Sequence, residues 1–331
     1  MTELLLPALA LIVGLALLVK SADAFIEGAA SVAVHHNVNP LIVGVVVLGF
    51  GTSMPEVIVS ILAALDHAPE LAVGNAIGSN IANIGLVLGT TILIAPLAVR
   101  SQVLKREMPL LVGVTVLVGL LLLDGMLSRL DGLLLLLGLV GAMGWMIYLN
   151  RHASASDPLE QETEEELEEL ARLTPAKAWL YTLGGLVVLM LSARMMVWGA
   201  VEIAHYYHVS EAIIGLTIVA IGTSLPELAA GISAARKNEA DLMVGNVLGS
   251  NLFNLLAVMA MPALIYPARL NADIITRDYP IMLGFTLAML LFALPLGKRP
   301  ARLNRIEGWV LLLAFFAYLF MLYLAIQGTR P

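Results

Sequence analysis

The sequence repeats one polar element at a constant offset along the chain. GTSMPE at 51–56 recurs as GTSLPE at 222–227, and GNAIGSN at 74–80 recurs at the same offset as GNVLGSN at 245–251. Between residues 42 and 83, 18 of the 42 positions are identical to their partners. The matches fall mainly on polar residues, Gly and Pro, so a shared preference for Leu and Val does not explain them. The chain therefore contains two copies of one unit, and each copy carries a glutamate.

The composition predicts an all-α membrane protein. Apolar residues make up 60% of the chain and charged residues 13%, with a mean hydropathy of +0.91, whereas soluble domains carry about 25% charged residues. A helix needs about 20 apolar residues to cross a bilayer. We expect ten transmembrane helices in two inverted five-helix repeats, at residues 3–19, 40–65, 71–98, 108–123, 131–149, 178–204, 211–235, 242–266, 280–296 and 308–326.

The repeat divides the chain into three parts. Residues 1–150 form the first five-helix repeat, 151–177 an acidic cytoplasmic linker and 178–331 the second repeat. The first apolar run lacks the basic start and cleavage site of a signal peptide, so we expect it to be retained as a helix. The acidic run within the linker is compatible with a regulatory cation sensor, but such runs are more often solvated linkers.

The basic residues predict the orientation. One set of alternate loops holds thirteen Lys and Arg and the opposite set holds four, and cytoplasmic loops carry the excess. Both termini are therefore expected outside the cytoplasm of a cell (inner or plasma) membrane, in a multi-pass protein. Because five is an odd number, the second repeat enters the membrane upside down, which is the plan of many secondary transporters.

The first repeated motif contains a helix breaker. Proline has no N–H and clashes with the carbonyl four residues earlier, so Pro55 and Pro226 are expected to break their helices. Gly51 and Gly222 lie at the same points and add backbone freedom. A broken helix is tolerated at membrane depth only where it is buried in protein or lines a cavity. We expect free carbonyl oxygens there, at corresponding depths in both repeats.

The side chains beside each break offer oxygen ligands only. Two carboxylates, four hydroxyls and amide carbonyls are present, and the sequence contains no Cys. Such sites favour hard cations such as Ca²⁺ and Na⁺. A carboxylate at bilayer depth costs about 2.5–3.5 kcal/mol, so Glu56 and Glu227 are predicted to be functional.

The second repeated motif combines small and polar residues. Gly-x-x-x-Gly lets helices approach closely, so packing is predicted for Gly74, Gly78, Gly245 and Gly249, and we expect it to bring helix three against helix two. Asn75, Ser79 and Asn83 share one helix face. For Asn75 and Asn80, cation binding and interhelical hydrogen bonding both remain open.

With these motifs the chain resembles the cation/Ca²⁺ antiporter superfamily, most closely its bacterial and archaeal Na⁺/Ca²⁺ exchangers. The resemblance implies ten helices, a diamond-like site between helices two, three, seven and eight, and mobile helices one and six. It implies Ca²⁺ held by the two glutamates with the threonines, and Na⁺ sites completed by serine hydroxyls and two carbonyls. The predicted metal ligands are Glu56, Glu227, Thr52, Thr223, Ser53, Ser224, Ser79, Ser250, Asn83, Asn254 and the carbonyls of Gly49 and Ala220.

The chain departs from many of those relatives at Asn83 and Asn254, where they carry Asp at one or both positions and where some depend on K⁺. With Asn at both positions, the fixed charge of the site is about −2 if both glutamates are ionised. One Ca²⁺ or two Na⁺ would neutralise it. K⁺ dependence is therefore not expected.

These observations predict a secondary antiporter that exchanges Ca²⁺ for Na⁺ by alternating access to a midplane site. The alternative on the same fold couples H⁺ to Ca²⁺ or another divalent cation, and a cation channel is more remote. An enzyme is not expected, since the sequence has neither G-x-S-x-G nor H-E-x-x-H. The expected partners are Ca²⁺, Na⁺ or H⁺ and the lipid bilayer, with no prosthetic group, no nucleic acid and a monomeric state.

Overall fold

The structure is a computed structural model that describes residues 2–36, 52–98, 102–150, 173–237, 240–294 and 302–328. These residues are almost entirely helical. The helices are α1 (Thr2–His35), α2 (Met54–Leu65), α3 (Pro69–Ile94), α4 (Gln102–Leu121), α5 (Arg129–Asn150), α6 (Pro175–Tyr207), α7 (Glu211–Thr223), α8 (Leu225–Lys237), α9 (Ala240–Phe253 continued to Ile265), α10 (Ile274–Ala293) and α11 (Arg305–Gly328).

Two short antiparallel strand pairs accompany the helices. β1 (Leu97–Ala98) pairs with β4 (Arg302–Leu303), and β2 (Met126–Leu127) pairs with β3 (Ala268–Arg269). Each pair joins one strand from each half of the chain. The predicted helix 71–98 therefore ends earlier, at Ile94, because the chain becomes extended at Ala95 and then forms β1.

The secondary structure repeats at the same offset as the sequence. α2 and α8 begin at Met54 and Leu225, which are equivalent positions of the two copies. A π-helical segment interrupts α3 from Asn83 and interrupts α9 from Asn254, and these two positions are again equivalent. Such π-helical turns occur frequently at functional sites.

α1 and α6 pack against each other along their lengths in antiparallel directions. A Cβ atom added to Gly14 would lie 2.9 Å from the Met196 nitrogen, and one added to Gly185 would lie 2.8 Å from the Phe25 nitrogen. A Cβ added to Gly28 would clash with the Thr182 nitrogen, and one added to Gly199 would lie 2.5 Å from the Pro7 carbonyl oxygen. The absence of side chains at these four glycines lets the two backbones touch.

The helices fall into two groups, one with mostly buried residues and one with many exposed apolar side chains. All residues from 71 to 85 in α3 are buried, and most of the apolar window of α9 is buried as well. By contrast, α1, α4, α6 and α11 expose many large apolar side chains. A helix buried on all sides lies in the centre of a structure, and the exposed apolar faces are suited to contact with lipid.

Seven of the described helices are long and apolar enough to cross a membrane, namely α1, α3, α4, α6, α9, α10 and α11. α7 and α8 form an eighth candidate if the bent pair is one span, and α2 is a shorter apolar helix. The first part of the predicted helix 40–65 lies outside the described residues. The protein is thus an all-helical membrane protein, and the count of ten helices stays a prediction.

Two further predicted boundaries, at residues 19 and 178, differ from the structure. The first helix was expected to end at residue 19, at the end of the apolar stretch, but α1 continues to His35. The Ser21 hydroxyl donates to the Leu18 carbonyl inside the helix, and Ala22 and Ala30 remain fully buried. The continuous packing against α6 therefore outweighs the polar residues.

The other boundary concerns the linker. Residues 175–177 were assigned to it, yet they form the first turn of α6, with Pro175 at a position that suits the start of a helix. Most of the acidic linker, residues 151–172, lies outside the described residues.

Candidate cation-binding site

Two interruptions of the backbone form the candidate site. α7 ends at Thr223, α8 begins at Leu225, and the two segments are bent by 41°. Pro226 lies in the first turn of α8. In the other repeat, Ser53 precedes α2 and Pro55 lies in its first turn. Proline is tolerated there because the first N–H groups of a helix have no intrahelical partner.

The predicted free carbonyls are only partly described. The Ala220 carbonyl accepts the Ser224 N–H at 3.1 Å and the Thr223 hydroxyl at 3.3 Å, so it is not free. The equivalent Gly49, and also Gly51, lie outside the described residues. Gly222 is buried, and a Cβ added to it would lie 2.5 Å from Cδ1 of Leu15 in α1.

Two fully buried carboxylates face each other across the breaks. Glu56 and Glu227 have no exposed surface, and they lie close enough to repel each other. Among the described residues, neither oxygen of Glu56 has a hydrogen-bond partner, nor does Oε2 of Glu227. Oε1 of Glu227 accepts the Ser53 hydroxyl at a long 3.4 Å. A buried carboxylate without a partner costs several kcal/mol, so this pair requires cations or protons.

The neighbouring hydroxyls and amides form two clusters that the repeat relates to each other. In the first, Thr52 Oγ1 lies 3.4 Å from Ser250 Oγ and 3.4 Å from Asn246 Oδ1. This first cluster also lies beside Glu227.

In the second cluster, Thr223 Oγ1 lies 3.4 Å from Ser79 Oγ and 3.1 Å from Asn75 Oδ1. Glu56 lies beside Thr223. In both clusters the threonine comes from one repeat, and the serine and asparagine come from the other.

The hydrogen bonds between these oxygen atoms are long, and their spacing also suits a bound cation. Hydrogen bonds between hydroxyl groups are typically about 2.7–2.8 Å long, whereas most contacts in the clusters are 3.4–3.5 Å. Oxygens placed octahedrally about 2.4 Å from a Ca²⁺ ion are about 3.4 Å from each other. Na⁺ has nearly the same radius, so both ions fit this spacing.

A group of four asparagines lies between α3 and α9. Asn83 donates to Asn251 Oδ1 at 3.1 Å, and Asn80 donates to the Asn251 carbonyl at 3.3 Å. Among the described residues, neither amide atom of Asn254 has a partner, and Oδ1 of Asn83 has none. The two sequence-predicted asparagines therefore present unsatisfied amide oxygens at the centre of the protein.

Each sequence-predicted ligand with a described side chain is at most 6% exposed. Ser224 Oγ is buried without a hydrogen-bond partner among the described residues. Contacts in the structure link seven of the ten predicted side-chain ligands, namely Thr52, Ser53, Glu56, Ser79, Thr223, Glu227 and Ser250. The other three, Asn83, Ser224 and Asn254, are buried but have no described contact with these seven.

The glycines of the second motif behave differently in the two repeats. A Cβ added to Gly74 would lie 2.5 Å from the Ala212 carbonyl, and one added to Gly78 would lie 2.7 Å from the Leu216 carbonyl. These glycines therefore contact α7, and not helix two as the sequence analysis expected. Gly245 and Gly249 are only partly buried, and no described atom lies within 4 Å of a Cβ added to Gly249.

Three further buried or partly buried polar residues were not predicted as site residues from the sequence, namely Asn246, Asn251 and Ser60. Asn246 and Asn251 are the repeat partners of Asn75 and Asn80, so the repeat itself contained the signal. Ser60 is buried, and its hydroxyl has no partner among the described residues. It lies one turn after Glu56, but the equivalent residue is a glycine, so the repeat gave no signal there.

Long apolar helices that enclose buried carboxylates and amide oxygens are typical of membrane proteins that transport ions. A family model described as sodium/calcium exchanger protein matches residues 6–148 and 177–324. The chain belongs to this family, whose members are transporters and not enzymes.

Individual relatives match over nearly the whole chain. The CaxA protein of Alkalimonas amylolytica is 45% identical over 320 residues, covering 97% of this chain and 99% of its own. The inner membrane protein YrbG of Escherichia coli (strain K12) is 42% identical, with coverages of 97% and 98%. The sodium-calcium exchanger NCX_Mj, in a structure soaked with Na⁺ and Sr²⁺, is 29% identical with a TM-score of 0.65, covering 99% and 100%.

Proposed function

We propose that this protein is a secondary antiporter that expels Ca²⁺ in exchange for Na⁺ through alternating access to the site between α2, α3, α9 and the break between α7 and α8. Ca²⁺ binds between Glu56 and Glu227 with the oxygens of Thr52 and Thr223. Na⁺ occupies the two oxygen clusters and competes for the same carboxylates. Competition for one site that opens to either side couples the two fluxes.

One observation carries this proposal: two repeat-related oxygen clusters, each beside a buried carboxylate, in which most contacts are 3.4–3.5 Å and one is 3.1 Å. Two clusters match two monovalent cations, whose charge equals that of one Ca²⁺. NCX_Mj is described as a sodium-calcium exchanger and was also soaked with Na⁺ and Ca²⁺, which supports the same pair of ions.

The proposed architecture is ten helices in two inverted five-helix repeats. The antiparallel contact between α1 and α6 supports inversion, because Gly14 and Gly28 are the repeat partners of Gly185 and Gly199. Two copies of one element that pack antiparallel to each other point in opposite directions. We further propose residence in the inner membrane, in line with the name of YrbG, with both termini outside the cytoplasm.

The main alternative couples Ca²⁺ to H⁺, with protons neutralising Glu56 and Glu227. Coupling to protons requires only the two carboxylates, because a single carboxylate oxygen binds a proton without further ligands. The hydroxyl and amide clusters would then have no role in ion binding. Their presence in both repeats favours Na⁺.

The test uses purified protein in liposomes loaded with Na⁺, with K⁺-loaded liposomes as the control. Outward Na⁺ gradients are expected to drive saturable uptake of radioactive Ca²⁺, and K⁺ gradients are not. Uptake that follows a pH gradient and ignores Na⁺ would establish the H⁺ alternative. A non-saturating Ca²⁺ current without dependence on a second ion would indicate a channel.

A further inference from the structure

Asn75 and Asn246 occupy equivalent positions, one beside each threonine of the site. Asn75 is fully buried on α3, and its Oδ1 accepts the Thr223 hydroxyl at 3.1 Å. Asn246 lies on α9, and its Oδ1 accepts the Thr52 hydroxyl at 3.4 Å. In both cases the amide comes from the opposite repeat to the threonine.

The packing of the helices explains how the contact between Asn75 and Thr223 forms. Gly74, next to Asn75, has no side chain, so α3 approaches the backbone of α7 at Ala212. Gly78 allows the same approach one turn later, at Leu216. The close contact carries Asn75 and Ser79 to Thr223, near the end of α7.

The hydrogen bond to Asn75 determines where the hydrogen of the Thr223 hydroxyl points. A threonine hydroxyl has one hydrogen and two lone pairs, and an amide oxygen only accepts hydrogen bonds. When Thr223 donates its hydrogen to Asn75, both of its lone pairs remain available to a cation. Without this acceptor, the hydrogen would be shared between the Ala220 carbonyl at 3.3 Å and the nearby Glu56 carboxylate. Donation to Glu56 would make both groups poorer ligands.

We propose that Asn75 and Asn246 are positioning residues that hold the Thr223 and Thr52 hydroxyls with their lone pairs toward the transported cations. The proposal rests on the proposed function, because it concerns ions bound in the same site. We expect the affinity for Na⁺ to change most, because most of its ligands in the two clusters are neutral oxygens, whereas Ca²⁺ is held chiefly by the two carboxylates.

The test compares Asn75→Ala with wild type in Na⁺-loaded liposomes and in equilibrium binding of Na⁺ and Ca²⁺. Losing an outer partner of a metal ligand typically weakens affinity by about 10–100-fold. We expect a loss in that range for Na⁺ and a smaller one for Ca²⁺. Asn246→Ala is the repeat-related second variant at a less buried position, and the exposed loop variant Asn271→Ala is the control.

A double-mutant cycle separates positioning from general packing. If Asn75 acts through the Thr223 hydroxyl, Asn75→Ala has little further effect on Na⁺ affinity once Thr223→Val has removed that hydroxyl. Additive losses in this cycle, or unchanged Na⁺ affinity in Asn75→Ala and Asn246→Ala, would overturn the proposal while wild-type exchange still stands. Absence of Na⁺ dependence in the wild type would overturn the proposed function, and this inference with it.

Discussion

Ser53 Oγ lies 3.4 Å from Oε1 of Glu227, so a hydroxyl of the first repeat contacts the carboxylate of the second. The two oxygen clusters are shared between the repeats in the same way: Thr52 contacts Ser250, and Thr223 contacts Ser79. Neither repeat therefore contains a complete site. The two halves form the proposed ion site only when they are packed together, and a change in either half should affect both ions.

Glu56→Gln and Glu227→Gln are each expected to weaken Ca²⁺ binding by at least about 30-fold, because each removes one of two fixed charges. Removing one member of a buried charge pair typically costs about 2–5 kcal/mol, and about 1.4 kcal/mol is a tenfold change in affinity. The measurement is Ca²⁺ uptake against Ca²⁺ concentration. Glu202→Gln, which changes an exposed glutamate of α6, should transport normally, and normal transport by Glu56→Gln would exclude the assigned site.

Gly185→Ala is expected to destabilise the protein by about 1–3 kcal/mol, the usual cost of overpacking. A Cβ at this position would lie 2.8 Å from the Phe25 nitrogen, in the backbone of α1. Gly184→Ala is the matched control, since no described atom lies within 4 Å of a Cβ there. Thermal unfolding in detergent compares the two variants, and equal melting temperatures would contradict the close packing of α1 on α6.

Asn254→Asp is expected to raise the affinity for Ca²⁺ by about tenfold or more, because a third negative charge would face a divalent cation. Both amide atoms of Asn254 lack partners among the described residues, so the change removes no described hydrogen bond. Asn83→Asp adds the same charge but loses the donor to Asn251. The increase in Ca²⁺ affinity should therefore be smaller for Asn83→Asp in the same Ca²⁺ titration. A weaker Ca²⁺ affinity in Asn254→Asp would place Asn254 away from the ion.

Much of the site could be predicted because its chemistry is local in sequence. The constant offset between the two copies identified Glu56 and Glu227 as a pair, and composition placed them in a membrane. The partners of each threonine could not be read in this way. Which serine meets Thr52 depends on how the two repeats pack, and that is a property of the whole fold.

The length of α1 illustrates a second limit. The predicted helix ended at residue 19 because hydropathy records only the residues themselves. The contact that keeps α1 helical to His35 is made with α6, whose sequence is far away. The signal was nevertheless present, because the glycines at 14 and 28 recur at 185 and 199 with the same offset as the site.

The central claim is that Ca²⁺ and Na⁺ compete for one site that contains both glutamates. It is tested most directly by equilibrium binding of radioactive Ca²⁺ to the purified protein at increasing Na⁺, with K⁺ replacing Na⁺ to hold ionic strength constant. We predict that Na⁺ displaces all specifically bound Ca²⁺ with a dependence steeper than first order, and that Glu56→Gln binds little Ca²⁺. Ca²⁺ that stays bound at saturating Na⁺, or is displaced equally by K⁺, would contradict this account.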